Sequence, residues 1–279
     1  SSLCDNSKQV AIFQSWVSVI SKEIDLEDLE NQIFSHFSKV SDAAYWRVVS
    51  SFARMYMEID HVDKALKLLY LTVKDISKCS TSSSSALKIE EEYNSYDYDQ
   101  NSMHRKTTEN FSQFVSPFLK NKSNQVIFDA ACGTGLAANY LRPHAKVLIG
   151  TDLSPTMVQR AKKKDLYDLI KTGNITEPIK FSDNIDIIHC LGATYYLPSL
   201  DSFLSSCSAM LKPGAMLLFS DYPAPPNIEI GITIGPTARH CRSDRKTIAL
   251  AQNNGFLLSH ASFGLVYGIP SRYWFFKRI

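Results

Sequence analysis

An apolar run, Val126-Ile127-Phe128, passes directly into Asp129-Ala130-Ala131-Cys132-Gly133-Thr134-Gly135-Leu136. Few folds are open to a chain that leaves a buried strand in this way. Paired glycines let the backbone turn tightly and approach a ligand closely. The pattern from Leu136 to Leu141 predicts a helix next, whose free N–H groups and positive dipole end would face an anion. Three more apolar runs follow: Val147-Leu148-Ile149, Ile185-Asp186-Ile187-Ile188 and Met216-Leu217-Leu218-Phe219. Helical patterns at Met157 to Lys163 and Leu200 to Leu211 separate them, and another near Ser243 to Asn253 stops at Gly255. Strand and helix alternating in this way predict an α/β fold, a parallel sheet with helices on both faces.

Two ligand chemistries fit a glycine loop at that place. Gly133-Thr134-Gly135-Leu136-Ala137-Ala138 satisfies G-x-G-x-x-A, the dinucleotide fingerprint, with Asp152 downstream. Asp129 separates the two. In a dinucleotide site the position four before the first glycine is apolar strand, and a carboxylate there would repel a pyrophosphate. A ligand with an amino group would use it, and S-adenosylmethionine carries both an amino group and a sulfonium cation. Gly150-Thr151-Asp152-Leu153-Ser154-Pro155 ends the second strand, where the two oxygens of Asp152 can accept from both ribose hydroxyls. Ser154 suits the cap and Pro155 the first position of the following helix.

On these residues the chain from about 125 to 279 resembles a class I, Rossmann-like, S-adenosylmethionine-dependent methyltransferase. The stretch Asp129 to Gly135 is similar to that family's acid-x-G-x-G-x-G, with Ala131 in place of the first glycine. The resemblance implies a cofactor site of Asp129, Ala131, Gly133 and Gly135, with Asp152 and Leu153 at the ribose. It adds Asn174 and Ile175 from Gly173-Asn174-Ile175, where Asn174 replaces the usual acid near the adenine. Leu191-Gly192-Ala193-Thr194-Tyr195-Tyr196-Leu197-Pro198 resembles the fourth motif, beside the transferred methyl, and contributes Leu191. Leu211-Lys212-Pro213-Gly214-Ala215 resembles the turn into strand five. Tyr96, in the segment Tyr93 to Asp99, resembles a feature that lies over the cofactor in the family.

Ahead of this region, residues 1–78 carry helical periodicity. Tyr45, Val48, Val49, Phe52 and Tyr56 are followed by Val62, Ala65, Leu66, Leu69 and Val73 across a turn at Ile59-Asp60. The expected organisation is a small all-α, tetratricopeptide-like domain over 1–78 and a Ser-rich linker over 79–92. The catalytic domain would occupy 93–279. Some family members carry similar helices.

The formal net charge of the 279 residues is only +2, which does not describe a nucleic-acid footprint. Six dispersed cysteines read as reduced thiols in a cytoplasmic setting, and the histidines form no metal motif. No signal or membrane span is expected, since Gln14, Ser15 and Ser18 interrupt the first apolar stretch.

For the acceptor, Tyr195, Tyr196 and Tyr222 collect near the ends of strands four and five, with Arg239 and His240 in a basic cluster that includes Arg242. Tyr196, Tyr195, His240 and Arg239 are the expected catalytic-side residues, and His189 either joins them or packs in the sheet. Pro223 to Arg242 is expected to fold over the mouth. Such walls suit a small or medium organic acceptor with a hydroxyl or carboxylate. A protein acceptor recruited by the N-terminal helices and a non-catalytic cofactor-binding role are the alternatives. An oxidoreductase is disfavoured by Asp129. Cys132, near the loop, is expected to be a small filler more than a thiolate.

Overall fold

A computed structural model describes residues 98–181, 185–224, 229–234, 237–267 and 269–279, together with Tyr56 and Lys64. The expected N-terminal helical domain, save those two residues, the Ser-rich linker and Tyr96 lie outside the described residues. By its contacts the chain divides into units at 1–48 and 49–279, and every described residue falls in the second.

The elements in chain order are α1 (Ser102–Leu119), β1 (Gln125–Ala130), α2 (Ala138–Leu141), β2 (Ala145–Asp152), α3 (Pro155–Lys162), β3 (Leu169–Thr172) and β4 (Ile185–Cys190). After them come α4 (Asp201–Met210), β5 (Leu211–Ala224), β6 (Glu229–Ile234), β7 (Thr237–Ser243), α5 (Asp244–Asn253), β8 (Phe256–Val266) and β9 (Ile269–Arg278). The parallel part of the sheet runs β3-β2-β1-β4-β5. β9 lies antiparallel to β5 over Met216 to Asp221, and β8 pairs with β9. Beyond the pairing of Cys190 with Phe219, the last residues of β5 pair in parallel with β7, which pairs with β6.

The side-chain period of two explains why β1 is apolar almost throughout. Val126, Phe128 and Ala130 enter one core with Ile149, Ile188 and Phe219, against Phe203 and Leu204 of α4 and Ala251 of α5. The residues between them look to the opposite side, under α1. There the Phe111 ring stands 5.2 Å from His189 and 4.8 Å from Tyr273, and Phe118 stands 4.5 Å from Phe275. Each large apolar side chain removed from water in these layers contributes about 1.5–3 kcal/mol. The helices start where polar caps allow. Asn101 accepts from the Met103 amide at 2.9 Å, Ser154 from Met157 and Ser243 from Lys246, each at 3.3 Å. Pro155 stands in the first turn of α3, and Gly255 follows α5 at φ +78°, as the sequence predicts.

Three features depart from the sequence expectation. The helix after the glycine loop is only the four residues of α2, continued by a 3-10 turn at Arg142–His144. Residues 132–138 are spent in tight turns, with Gly135 N–H donating to Cys132 O and Ala138 N–H to Gly135 O. A helix that short has no useful macrodipole, so the expected anion site at its start is withdrawn. β3 has no apolar signature because it is a four-residue edge strand with only Ile170 half-buried. The segment expected to fold over the mouth instead supplies β6 and β7, which extend the sheet.

That extension is fastened by a buried ion pair. The Arg242 guanidinium lies 3.0 Å from both oxygens of Asp221, and Thr194 donates to Asp221 at 2.9 Å and to Ser220 O at 2.6 Å. Arg242 also donates to the carbonyls of Leu197 and Thr194. Burial pushes the Asp221 carboxyl up, and Arg242 and Thr194 pull it back. Removing one charge strands the other away from water, so Asp221→Leu is expected to cost about 3–5 kcal/mol in urea unfolding. The double variant Asp221→Leu/Arg242→Met should lose distinctly less. Equal losses in the two would refute the pairing.

Candidate functional site

The carboxyl ends of β1 and β4 open on a cleft. Its floor is Asp129, Ala131 and Gly133 from the β1 loop, with His189 and Leu191 from β4, and Tyr98, His104 and Tyr267 stand over it. The loop is held open by β2. Cys132 N–H donates to Thr151 O at 2.9 Å, and Gly133 N–H donates to the Asp152 carboxylate at 2.9 Å. The other Asp152 oxygen accepts from Ser154 N–H at 2.9 Å. A carboxylate has about four lone-pair sites, so these backbone bonds aim Asp152 and leave it acceptor capacity.

Backbone strain marks the same place. Ala131, Gly133 and Gly135 all have left-handed φ, at +57°, +55° and +80°. Of the five non-glycine residues with positive φ among the described residues, three are Asn or Asp; the other two, Ala131 and Tyr267, both line the cleft. Outside Asn and Asp that conformation costs of order 1–2 kcal/mol and collects at binding sites. Gly133 has a further use: the Tyr98 hydroxyl lies 3.8 Å from where a Cβ would stand.

Asp129 is 1% exposed and would be costly without donors. It has two. Tyr167 O–H donates to one oxygen at 2.6 Å, and His189 Nδ1 lies 2.8 Å from the other. His189 Nε2 in turn sits 2.5 Å from the Tyr140 hydroxyl. Burial, then Asp129, pushes both phenols well above the usual tyrosine range, so both stay protonated and can donate. The Asp129 carboxylate can only accept, so Nδ1 donates to it and Nε2 is left to accept from Tyr140. The chain Tyr140–His189–Asp129–Tyr167 is then fully satisfied. The sequence pattern misses this network, because Tyr140 and Tyr167 carry no motif. Two glycines make room for Tyr167: a Cβ would stand 2.8 Å from its ring at Gly150 and 3.0 Å at Gly135.

Of the other expected cofactor residues, Leu191 lines the cleft, while Gly135, Asp152, Leu153, Asn174 and Ile175 lie outside its lining. Leu153 is 41% exposed next to Asp152. Gly173 N–H donates to Asp152 O at 2.9 Å, which brings Asn174 and Ile175 beside the end of β2. Asn174 is exposed and uses its side-chain oxygen to accept from Thr176 N–H at 3.1 Å. Cys132 is buried, and that burial, then Asp129 and Asp152, pushes its thiol well up, as suits a filler.

On the acceptor side, the turn after β4 brings Tyr195, Tyr196, Tyr222 and Arg239 together. Tyr195 stacks on Tyr222 at 4.2 Å and 7°, and the Arg239 guanidinium lies 3.9 Å over the Tyr196 ring. Arg239 is 4% exposed, so it is part of this stack and not of the basic cluster expected from the sequence. His240, the next residue along β7, projects to the opposite face of the strand and is half-buried. Arg242 belongs to the Asp221 pair. Gly192, at φ +74°, joins this corner to the cleft: a Cβ on it would stand 3.5 Å from the Tyr195 hydroxyl and 2.9 Å from that of Tyr267. Burial pushes the Tyr195 phenol well up, which makes it a donor and not a base.

Above the cleft the hydroxyls of Tyr98 and Tyr267 are 3.0 Å apart, and the His104 ring lies 3.8 Å from Tyr98 and 4.7 Å from Tyr267. Among the described residues no group of three ligands could hold a metal ion, and no helix is long and apolar enough to cross a membrane.

Residues 128–219 match a family model described as a methyltransferase domain. An uncharacterized methyltransferase of Schizosaccharomyces pombe is 33% identical over 123 residues, 38% of this chain and 42% of that protein. A ubiquinone biosynthesis O-methyltransferase of Coxiella burnetii is 29% identical over 98 residues, 34% of this chain and 42% of that protein. The chain thus spans less than half the length of these curated relatives. Among solved structures, magnesium protoporphyrin IX methyltransferase from Synechocystis with bound SAM superimposes with TM-score 0.55 at 16% identity, covering 72% of this chain and all of that one. An S-adenosylmethionine-dependent methyltransferase from Mesorhizobium loti gives 0.51 at 18%, covering 59% and 97%. The fold is that of the Rossmann-like methyltransferases.

His104 supplies a pH test of the roof. Burial pushes its imidazole down to about 4 from 6.5, against the pull of Asp99. The unfolded chain takes up the proton first, so this stabilisation is complete above pH 6.5 and is lost as pH falls toward 4. Relative to His104→Gln, the wild type is expected to lose about 2 kcal/mol of unfolding free energy between pH 7.5 and 5. A difference independent of pH would contradict a neutral, buried His104.

Proposed function

We propose that this chain, with its class I methyltransferase domain at residues 128–219, transfers a methyl group from S-adenosylmethionine to an oxygen of a small or medium organic acceptor. The observation that carries the reading is Asp129: a buried carboxylate with two hydrogen-bond donors, lining a cleft, with a second acid, Asp152, at the end of the next strand. A cationic ligand with a ribose fits that pair, whereas a pyrophosphate would be repelled. The cofactor would supply an electrophilic methyl on a sulfonium.

The chain's own residues would do the rest. Asp129 would hold the ammonium and Asp152 the ribose hydroxyls, with the Ala131–Gly133 backbone close beside them. Leu191 and Gly192 would leave the acceptor its approach from the side of Tyr195, Tyr196 and Arg239. In-line displacement depends chiefly on placing the nucleophile opposite the leaving sulfur. Both ring nitrogens of His189 are engaged in the Asp129 network, and Tyr195 is a donor. This arrangement favours an acceptor oxygen that needs no strong base, a carboxylate or an acidic hydroxyl. Tyr195 would donate to it and Arg239 would favour its charge. We extend the proposal to the organisation of the chain, with residues 1–78 as a helical domain and 79–92 as a linker, and to a cytoplasmic setting.

Calorimetry tests the cofactor. The wild type is expected to bind S-adenosylmethionine or S-adenosylhomocysteine, and Asp152→Ala to bind about ten- to a hundredfold more weakly. Binding of NADH with none of S-adenosylmethionine would sink the reading. With methyl-labelled cofactor and a cell extract, label is expected in small molecules; label in protein would favour recruitment of a protein acceptor instead.

A further inference from the structure

Asp129 belongs to the cofactor site already described, and three residues that bond to it or to one another, Tyr140 and Tyr167 behind the cleft and His189 in its floor, have been given no contact with the ligand. Tyr140 stands on α2, His189 on β4 and Tyr167 between α3 and β3. Their hydroxyls and ring nitrogens converge on one carboxylate through three short contacts, of 2.5, 2.8 and 2.6 Å. Such a chain costs three side chains their alternatives, and sheet packing alone would be met as well by apolar residues. Its bonds also run in one direction. Tyr140 and Tyr167 donate, His189 relays, and Asp129 keeps its charge with lone pairs to spare.

We infer that Tyr140, His189 and Tyr167 are positioning residues that set Asp129 as the counter-ion for the ammonium group of the amino-acid end of the ligand. This deepens the proposed function and rests on it. Tyr140 acts through the tautomer. With its hydroxyl on Nε2, the His189 proton stays on Nδ1 and the pair His189–Asp129 keeps a full negative charge. Without that hydroxyl, His189 is free to carry its proton on Nε2, which turns the Nδ1 lone pair against the carboxylate. Tyr167 acts by direct donation, through space that Gly150 leaves open: even a methyl there would stand 2.8 Å from the ring.

The test uses the full chain and two ligands in calorimetry, S-adenosylhomocysteine and its desamino analogue, which keeps the carboxylate, thioether and nucleoside but has no ammonium. Tyr140→Phe and Tyr167→Phe keep the rings and remove the hydroxyls. Each is expected to weaken S-adenosylhomocysteine about three- to tenfold while changing the analogue less than twofold. His189→Asn can still donate toward Asp129 without an imidazole and is expected to weaken S-adenosylhomocysteine less than His189→Leu. If each Phe variant weakens both ligands equally, or neither, the three residues only pack and the inference is overturned. Each variant is first shown to be folded by its urea unfolding transition, so that equal weakening of both ligands reports on packing and not on loss of the fold. A wild type that binds neither ligand overturns the cofactor reading itself, and so separates the two failures.

Discussion

A carboxylate with almost none of its surface in water must be given hydrogen-bond donors, and much of the arrangement at the end of β1 follows from how Asp129 obtains them. Its neighbours across the sheet are Gly150 on β2 and His189 on β4. One gives up its side chain so that Tyr167 can enter, and the other offers a ring nitrogen. The parallel order β2-β1-β4 is therefore also the order in which the charge is supported. The same order puts the ends of β1 and β4 at one cleft, as open α/β sheets do.

Strain and burial divide the work between the two ends of the site. Around the cleft, Ala131 and the two loop glycines hold left-handed backbone, which brings peptide groups close to a ligand. Around the acceptor corner the backbone is fixed differently. The Asp221–Arg242 pair ties the end of β5 to β7 and, through Thr194 and Leu197, to the turn bearing Tyr195 and Tyr196. A buried pair of this kind adds little net stability but resists rearrangement once made. Gly192 and Tyr267 stand where the two regions meet.

Much of the fold was legible because its signals are local and periodic. The apolar runs at 126–128, 147–149, 185–188 and 216–219 all fall within strands of the central sheet, and Ser154-Pro155 opens α3. The glycine loop and the two acids could be placed by their order along the chain. What escaped depends on pairing across distance. β3 is short and polar because it is an edge, and residues 229–234 and 237–243 form strands through the pairing of β7 with the end of β5 and of β6 with β7. Arg239 reads as a surface cation until the Tyr196 ring is seen under it. Tyr140 and Tyr167 lie 11 and 38 residues from Asp129, with no motif to link them, and only the folded sheet brings them together. The short α2 shows the reverse error: a helical pattern too brief to support the dipole argument placed on it.

The central claim is that a single buried negative charge, assembled by Asp129 and its donors, receives the cationic end of the methyl donor. A crystal structure of the full chain with S-adenosylhomocysteine tests it most directly. The account predicts the ligand's amino nitrogen within hydrogen-bond distance of Asp129, its ribose hydroxyls on Asp152, and the Tyr140–His189–Asp129–Tyr167 contacts intact. An amino group held elsewhere, with Asp129 bonded only to His189 and Tyr167, would contradict it.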